Sequence, residues 1–281
     1  MEKKWTVTLI GPGAMAEAII AGLLRQGITT PEHILASGPR LERVEELHTR
    51  YGIRPFTDNR EAAAKADAVI LSIKPQRLQK VLRGLEGAIP SQALVLSIIA
   101  GATIQTIGDG LKHPAVVRSM PNTPAVIGEG IAVWTAASAV TPEQRDLACQ
   151  ILGALGQQVY VEEESYLDMA TALSGSGPAY VFLFMEALID AGVHMGFPRR
   201  IAEQLVTQTI LGSVSYYQKH KDHPALLRNQ VTSPGGTTAQ ALYYLEKAGF
   251  RTALSRAIWA AYERSLELGK GLNAHPPEQK E

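Results

Sequence analysis

The sequence of 281 residues is poor in the residue types that mark several classes of protein. It holds one cysteine, Cys149, which excludes an intrachain disulfide and a Cys-x-x-Cys metal site and is typical of a reducing compartment. Lys plus Arg equals Asp plus Glu, at 27 each, so no net charge attracts the whole molecule to nucleic acid or to an anionic membrane. A hydrophobic content of 46% over this length is sufficient for two globular domains.

Long apolar runs are also missing from the sequence. The first apolar run ends at Ile10, before two glycines, which is too short for a signal peptide. The most apolar later segment, residues 179–193, is interrupted by Glu186 and Asp190, so we predict no membrane span. Together these absences predict a soluble cytoplasmic protein.

Neither metal nor serine-hydrolase chemistry is indicated. The seven histidines are scattered, and the pair His220 and His223 lies among charged neighbours, which is typical of a solvated helix end rather than of metal ligands. The Gly-x-Ser-x-Gly elbow of a serine hydrolase does not occur in the sequence. We therefore predict no metal site.

The first pattern that is present is a glycine turn between a predicted strand, residues 5–10, and an apolar helical pattern. Gly11, Gly13 and Ala16 occupy the three positions of a Gly-x-Gly-x-x-Ala dinucleotide-binding turn. A purely structural turn is the alternative for so short a motif. The strand before it and the helix after it favour nucleotide binding.

The end of the second predicted strand, within residues 33–40, lacks the acidic residue that would bind an adenosine ribose. Ser37 and Arg40 stand there instead, and Arg43 follows one helical turn later, so these side chains could hold the 2′-phosphate of NADP. We therefore predict a preference for NADPH, with NADH possible. A solvated helix face is the alternative for the two arginines.

Strand and helix patterns alternate as far as residue 161, after which almost every segment has helical length and periodicity. Continuous β-branched runs such as residues 68–73 and 94–99 are typical of parallel strands that are buried on both faces. We predict an α/β protein, with a Rossmann-like doubly wound sheet domain at 1–161, an all-α domain at 162–273 and a flexible tail at 274–281.

Polar residues follow two of the predicted strands, at 72–75 and 120–124, where parallel sheets bind ligands. Lys74 could face cofactor phosphates or ribose, and a charged helix start is the alternative. In the helical half, glycine and hydroxyl residues cluster at 173–180 and 231–242, each before a predicted helix. The second cluster could bind a carboxylate or could simply cap its helix. We expect the two clusters to face each other across a substrate pocket.

These motifs, taken in order, resemble those of the pyrroline-5-carboxylate reductase family. The most specific match is residues 226–246, which resemble the signature of that family, and residues 11–16, 72–75, 118–123 and 172–180 support it. The sequence departs from the family at Ala14, where an asparagine is common, and at Lys221, where some relatives carry an acid.

The resemblance implies an oxidoreductase that reduces a cyclic C=N bond: 1-pyrroline-5-carboxylate becomes L-proline by hydride transfer from NAD(P)H, the last step of proline biosynthesis. Thr238 would be catalytic, through a hydrogen bond to the ring nitrogen. The implied substrate-binding residues are Ser176, Ser233, Gly235, Gly236 and Thr237. The implied cofactor-binding residues are Ile10, Gly11, Gly13, Ala14, Met15, Ser37, Arg40, Asn59, Ser72, Ile73, Lys74, Pro75, Ala100 and Asn122.

The resemblance also implies that the helical domain binds substrate and forms a homodimer with a second copy. Dimers would assemble further into a ring. Two other classes stay open. A hydroxyacid dehydrogenase usually carries a lysine on a C-terminal helix, but none lies between Gln158 and Lys219; a reductase of another cyclic imine is a related alternative. A non-catalytic NADP sensor would be expected to have lost Ser233 or Thr238, and both are present.

Overall fold

A single sheet of eight strands forms the centre of the computed structural model, which describes residues 4–270. The predicted tail at 274–281 lies outside the described residues. The strand order is β3-β2-β1-β4-β5-β6-β7-β8, and all neighbours are parallel except β6 and β7. The strands are β1 (Val7–Ile10), β2 (Ile34–Ser37), β3 (Arg54–Phe56), β4 (Ala68–Leu71), β5 (Leu94–Ser97), β6 (Val116–Met120), β7 (Gly130–Ala136) and β8 (Gly156–Tyr160).

Helices connect these strands and continue after the sheet ends. Those of the sheet region are α1 (Ala14–Arg25), α2 (Leu41–Tyr51), α3 (Asn59–Ala63), α4 (Leu78–Leu85), α5 (Ile104–Leu111) and α6 (Pro142–Gly153). Those that follow are α7 (Tyr166–Ala170), α8 (Gly177–His194), α9 (Arg199–His220), α10 (Pro224–Gln230), α11 (Thr237–Lys247) and α12 (Phe250–Gly269). One π-helical turn, Thr171–Gly175, joins α7 to α8.

The core lies on both faces of the sheet because successive strand residues point to opposite sides. Leu9 and Ile70 pack in the layer that includes α1, α2 and α6, whereas the next residues, Ile10 and Leu71, pack in the layer of α4 and α5. Strands that are buried on both faces require continuous apolar sequence, which is what the runs in β4 and β5 provide. The predicted α/β class, with an all-α region after a Rossmann-like sheet, is confirmed.

Two helices were not predicted. The sequence of α5 contains Gly108 and Gly110, which lower helix propensity, and α10 is a short helix between His223 and the loop at residue 231. The first helical segment after β8 is α7, followed directly by the π-helical turn. The antiparallel direction of β7 is a further feature that the strand pattern did not specify.

The packing divides the chain into two compact units, which we describe separately. The sheet unit contains the described residues up to Gly177 and those from Ala261 onward, and the helical unit is Pro178–Ala260. Residues 162–177 and the end of α12 therefore pack with the sheet. The boundary that the sequence predicted after residue 161 stays a prediction, since it marks a change in composition rather than in packing.

The helical unit buries very little of its own apolar surface. Gly192 and Ala202 are the only buried residues of 178–260, and they meet where α8 crosses α9: a Cβ on Gly192 would lie 3.1 Å from that of Ala202. Large apolar side chains remain exposed, among them Phe182 at 62%, Leu183 at 67% and Trp259 at 62%. A surface of this kind is typical of an interface with another molecule.

One continuous helical stretch, Tyr166–His194, is long and apolar enough to cross a membrane, with a mean hydropathy of 1.3 over its most apolar window. This differs from the expectation that no segment reaches membrane length, because the helix extends beyond the apolar run at 179–193. A single such helix is weak evidence for a membrane span, since length and composition alone also describe helices at protein interfaces.

Candidate active site

The carboxyl ends of β1, β2, β4, β5 and β6 meet at one edge of the sheet, since these strands are parallel and in register. Ile10 pairs with Ser37 on one side and with Leu71 on the other, and Ser97 follows on β5. The predicted cofactor residues stand at these strand ends or within a few residues after them. The structure therefore brings to this edge the segments that contain Gly11, Gly13, Ala14, Met15, Ser37, Ser72, Ile73, Lys74, Pro75, Ala100 and Asn122.

The two glycines of the first turn have different roles. Gly11 has a φ of +97°, and a Cβ there would lie 2.6 Å from Ile73 Cγ2 and 2.9 Å from the Ser72 carbonyl oxygen, so only glycine fits. A Cβ on Gly13 would meet nothing within 4 Å. The Ser72 hydroxyl donates to the carbonyls of Ile10 at 3.1 Å and Gly11 at 2.9 Å. Ser72 and Ile73 thus shape the turn, and Gly13 leaves open space beside it.

The start of α1 is suited to an anion. Gly13 is its N-cap residue and has no side chain to accept from the helix, so the amides of the first turn, including Ala14 and Met15, lack an intrahelical partner. The positive end of the helix dipole lies at the same place. Open space, free amides and a helix N-terminus fit the pyrophosphate of a dinucleotide.

Arg43 of α2 supports the glycine turn through hydrogen bonds to the turn and to α1. Its Nε donates to the Pro12 carbonyl at 3.0 Å and its Nη2 to Glu17 of α1 at 2.5 Å, while Glu17 also accepts from the Tyr51 hydroxyl at 3.0 Å and from Arg50. Burial alone would raise the pKa of Glu17. The hydrogen bonds from Arg43 and Tyr51 and the charges of Arg43 and Arg50 together lower it by more, so the pKa is below its ordinary value. Arg43 therefore acts as a structural support and is not free for a 2′-phosphate.

Arg40 differs from Arg43 in being unengaged. It is exposed at the N-cap position of α2, and its side chain has no hydrogen bond or ion pair to any residue in 4–270. Lys74, exposed before the turn that leads into α4, is likewise without a partner in that range. Ser37 is fully buried, and its hydroxyl donates to Asn59 Oδ1 at 2.7 Å. Of the residues predicted to hold the 2′-phosphate, Ser37, Arg40 and Arg43, Arg40 is thus the one whose charge is available.

Asn122 and Ala100 lie on the other side of the glycine turn. The Asn122 amide is bonded at both ends: Nδ2 donates to the Ser174 carbonyl at 3.2 Å, and Oδ1 accepts from the Ile131 amide at 3.0 Å. Its contact with a cofactor stays a prediction, because neither end of the amide is free. Ala100 precedes Gly101, which has a φ of +72° and is in tight contact with the end of α12: a Cβ on it would lie 2.6 Å from the Gly269 nitrogen.

The first hydroxyl cluster of the helical half is a π-helical turn. The Ser176 amide closes it by donating to the Thr171 carbonyl at 2.8 Å, and the Ser174 hydroxyl donates back to the Ala170 carbonyl at 3.0 Å. The Ser176 hydroxyl itself has no hydrogen bond to the described residues. Single π-helical turns inside α-helices are frequent at functional sites.

The second cluster is a tight turn followed by an uncapped helix. The Gly236 amide donates to the Ser233 carbonyl at 3.0 Å, with Pro234 second in the turn and Gly235 third at a φ of +71°. Gly236 is the N-cap residue of α11 and makes no side-chain cap. No hydrogen bond joins the hydroxyls of Ser233, Thr237 or Thr238 to another part of 4–270. The alternative of a helix capped by its own hydroxyls is therefore not what the structure shows.

The two clusters belong to different units: Ser176 lies in the sheet unit and 231–238 in the helical unit. Their opposition across a pocket stays a prediction. Among the residues that the structure describes, no group of three or more His, Cys, Asp or Glu side chains is arranged to hold a metal ion.

The sequence did not indicate one group of charged and polar side chains in the sheet unit, formed by the buried Arg118, Asp168 and Ser265 and the partly exposed Glu164. The available signal was an arginine inside the apolar strand β6, because a buried guanidinium requires partners. The partners are distant in the chain, so the sequence did not indicate them.

Comparison with known proteins gives matches along nearly the whole chain. Residues 164–268 match the family described as pyrroline-5-carboxylate reductase dimerisation, and residues 6–101 match the family described as NADP oxidoreductase, coenzyme F420-dependent. A pyrroline-5-carboxylate reductase of Synechocystis sp. is 45% identical over 262 residues, which cover 93% of this chain and 97% of the relative.

Solved structures agree with these matches. A pyrroline-5-carboxylate reductase from Coxiella burnetii superposes with a TM-score of 0.86 at 36% identity, over 95% of this chain and 99% of the other. A pyrroline carboxylate reductase from Plasmodium falciparum, with NADP bound, superposes with a TM-score of 0.88 at 32% identity, over 96% and 100%. This chain belongs to the pyrroline-5-carboxylate reductase family.

Proposed function

We propose that this protein reduces 1-pyrroline-5-carboxylate to L-proline with NADPH, as the last step of proline biosynthesis. Similarity to relatives of that name over more than nine-tenths of the chain supports the reaction. The uncapped start of α11 is the structural observation that carries the proposal, because it offers free amides and three hydroxyls to a small acid. A cyclic imine with a carboxylate matches that chemistry.

The residues of this chain bind, orient and stabilise charge. NADPH, when bound, supplies the hydride that the imine carbon accepts. The first-turn amides of α11 and the Ser233 hydroxyl hold the substrate carboxylate, which fixes the ring. The Thr238 hydroxyl, half-buried one residue into the helix, donates to or accepts from the ring nitrogen and so sets which carbon faces the nicotinamide. The proton that the nitrogen requires comes from solvent or through this hydroxyl.

The cofactor would lie along the carboxyl edge of the sheet. The glycine turn and the start of α1 would hold the pyrophosphate, and Arg40, at the N-cap position of α2, would hold the 2′-phosphate. Lys74 adds a second exposed cation beyond β4. Because Arg40 interacts with a group that NADH lacks, the arrangement favours NADPH, and NADH remains a usable donor.

We also propose that the helical unit forms a homodimer with a second copy, and that dimers assemble into a ring in the cytoplasm. The exposed apolar side chains and the match of 164–268 to a dimerisation family support association with another copy rather than with a membrane. Light scattering on protein purified without detergent should give a multiple of the dimer mass. A lone dimer would support the helical interface and contradict the ring. A monomer in buffer, or protein that is soluble only in detergent, would contradict both proposals.

Turnover tests the function directly. Purified protein should oxidise NADPH rapidly when pyrroline-5-carboxylate is added, measured by loss of the reduced-nicotinamide absorbance. The six-membered imine acid should be a poorer substrate, because the helix start and Thr238 hold the ring at two fixed points. No turnover on the five-membered ring, with NADPH still bound, would favour a non-catalytic NADP sensor. Faster turnover on the six-membered ring would favour a reductase of another cyclic imine.

Thr238→Ala should lower kcat/KM by at least about tenfold, the loss expected for one well-placed hydrogen bond in the transition state. The matched control is Thr238→Ser, which keeps the hydroxyl and should stay within about threefold of the original enzyme. Steady-state kinetics at saturating NADPH separate the two variants. Equal kinetics for alanine and serine would remove the hydroxyl from the mechanism.

Arg40→Ala should weaken NADPH by about tenfold or more while NADH changes little, because only NADPH presents a 2′-phosphate to the guanidinium. Titration of each nucleotide, followed by nicotinamide fluorescence, gives the two dissociation constants. Arg83→Ala, which removes an exposed arginine on α4, should change neither. Equal weakening of both nucleotides by Arg40→Ala would refute the phosphate assignment.

A further inference from the structure

The Arg118 cluster consists of Arg118, Glu164, Asp168 and Ser265, which come from β6, the residues before α7, α7 itself and α12. The Arg118 guanidinium donates to Glu164 Oε1 and to Asp168 Oδ1, both at 3.1 Å, and the Ser265 hydroxyl donates to the same Asp168 oxygen at 2.7 Å. Arg118 is 1% exposed and Ser265 2%. One buried arginine thus joins α7 and the turn before it to the sheet, and Asp168 in turn joins α7 to α12.

The cluster also holds the turn that contains Ala100 and Gly101. Glu164 Oε1, which accepts from Arg118, accepts in addition from the Ile104 amide at 2.8 Å, directly after the N-cap residue of α5. On its other side the turn contacts the end of α12, where Gly101 and Gly269 meet backbone to backbone, four residues beyond Ser265. Two members of the cluster therefore fix this turn from two directions.

Residues of β6 and of the loop after it also hold the π-helical turn at Thr171–Gly175. Asp168 anchors the helix that leads into it, and Asn122, which follows β6, donates to the Ser174 carbonyl at its far end. Ser176, whose hydroxyl is unengaged by the described residues, comes directly after this turn. The position of Ser176 relative to the sheet thus depends on Arg118 and its neighbour Asn122.

The turn at 100–101 lies on the side where a nicotinamide would be held. The glycine turn after β1 fits the pyrophosphate and Arg40 after β2 fits the adenosine phosphate, so the other half of an extended dinucleotide would be held by the residues that follow β4, β5 and β6. On the basis of the proposed function, we propose that Arg118 is a positioning residue for hydride transfer. Through Glu164 and Asp168 it holds the nicotinamide-side turn and the Ser176 segment in one fixed geometry, without contact with either reactant.

Arginine fits the geometry of the cluster. Its planar fork reaches two carboxylates with two separate nitrogens, whereas a lysine presents one compact charge. A carboxylate that loses its buried partner is left unpaired, which is strongly unfavourable, so its helix is expected to move toward water. Displacement of a reacting group by about 1 Å can lower a rate by roughly 10²-fold, which makes the chemical step sensitive to this cluster.

Arg118→Lys is the test variant, since it keeps the charge and removes the fork. We expect kcat to fall by about tenfold or more and the dissociation constant of NADPH to stay within about twofold. The primary isotope effect on kcat with C4-deuterated NADPH should rise, because hydride transfer becomes the slower step. Ser265→Ala, which removes one hydrogen bond from Asp168, should shift kcat and the isotope effect in the same direction by less.

The matched control is Leu152→Ala. Leu152 is a fully buried residue of α6, and it packs in the core layer on the face of the sheet opposite to Arg118. This substitution should lower the melting temperature and leave kcat and the isotope effect unchanged. A merely structural role for Arg118 predicts the same pattern for Arg118→Lys. That pattern, or a loss of NADPH affinity equal to the loss in kcat, would overturn the proposal.

Hydrogen exchange provides a readout that does not need turnover. In Arg118→Lys, amides of 100–104 and of 171–177 should exchange faster together, while those of 11–16 should not change. Faster exchange in only one of the two segments would refute their shared positioning. If the original protein does not reduce pyrroline-5-carboxylate, the proposed function fails, and the exchange result still decides the role of Arg118. Should Arg118→Lys not fold, Ser265→Ala and Glu164→Gln carry the same measurements.

Discussion

The reversal of strand order between β1 and β4 is the constraint on which the site depends. From β1 the chain builds outward through β2 and β3, then returns to place β4 on the other side of β1 and builds outward again. The connections therefore leave the sheet in opposite directions at this point, and a crevice opens at the carboxyl ends. Gly11 makes the crevice narrow, because its missing side chain lets the two backbones approach.

The same electrostatic device occurs at two helix starts. Both α1 and α11 begin after a glycine that provides no cap, so each presents free amides to solvent. In α6, by contrast, Thr141 and Gln144 form a complete capping box, which satisfies amides of that helix start within the chain. Gly13 and Gly236 thus leave the first-turn amides of their helices without hydrogen-bond acceptors from the chain. An anion that binds there supplies those acceptors.

The sequence predicted the features that depend on local pattern. Continuous apolar runs indicated the buried strands, the glycine turn indicated the nucleotide edge, and the Ser-Pro-Gly-Gly run indicated the turn before α11. It could not predict which of Arg40 and Arg43 is free, because that depends on Glu17 of another helix. It could not predict the partners of Arg118 either. Asp168 lies 50 residues after Arg118, and Ser265 lies 97 residues after Asp168. Long-range pairing of side chains follows from the completed fold.

The low internal burial of the helical unit has a consequence for folding. A unit in which only Gly192 and Ala202 are buried gains too little from its own apolar contacts to offset the loss of chain entropy. Its order would then come from association, so that helix formation and subunit contact occur as one process. The apparent melting temperature of such a protein rises with protein concentration, and dilution acts on it as a denaturant does.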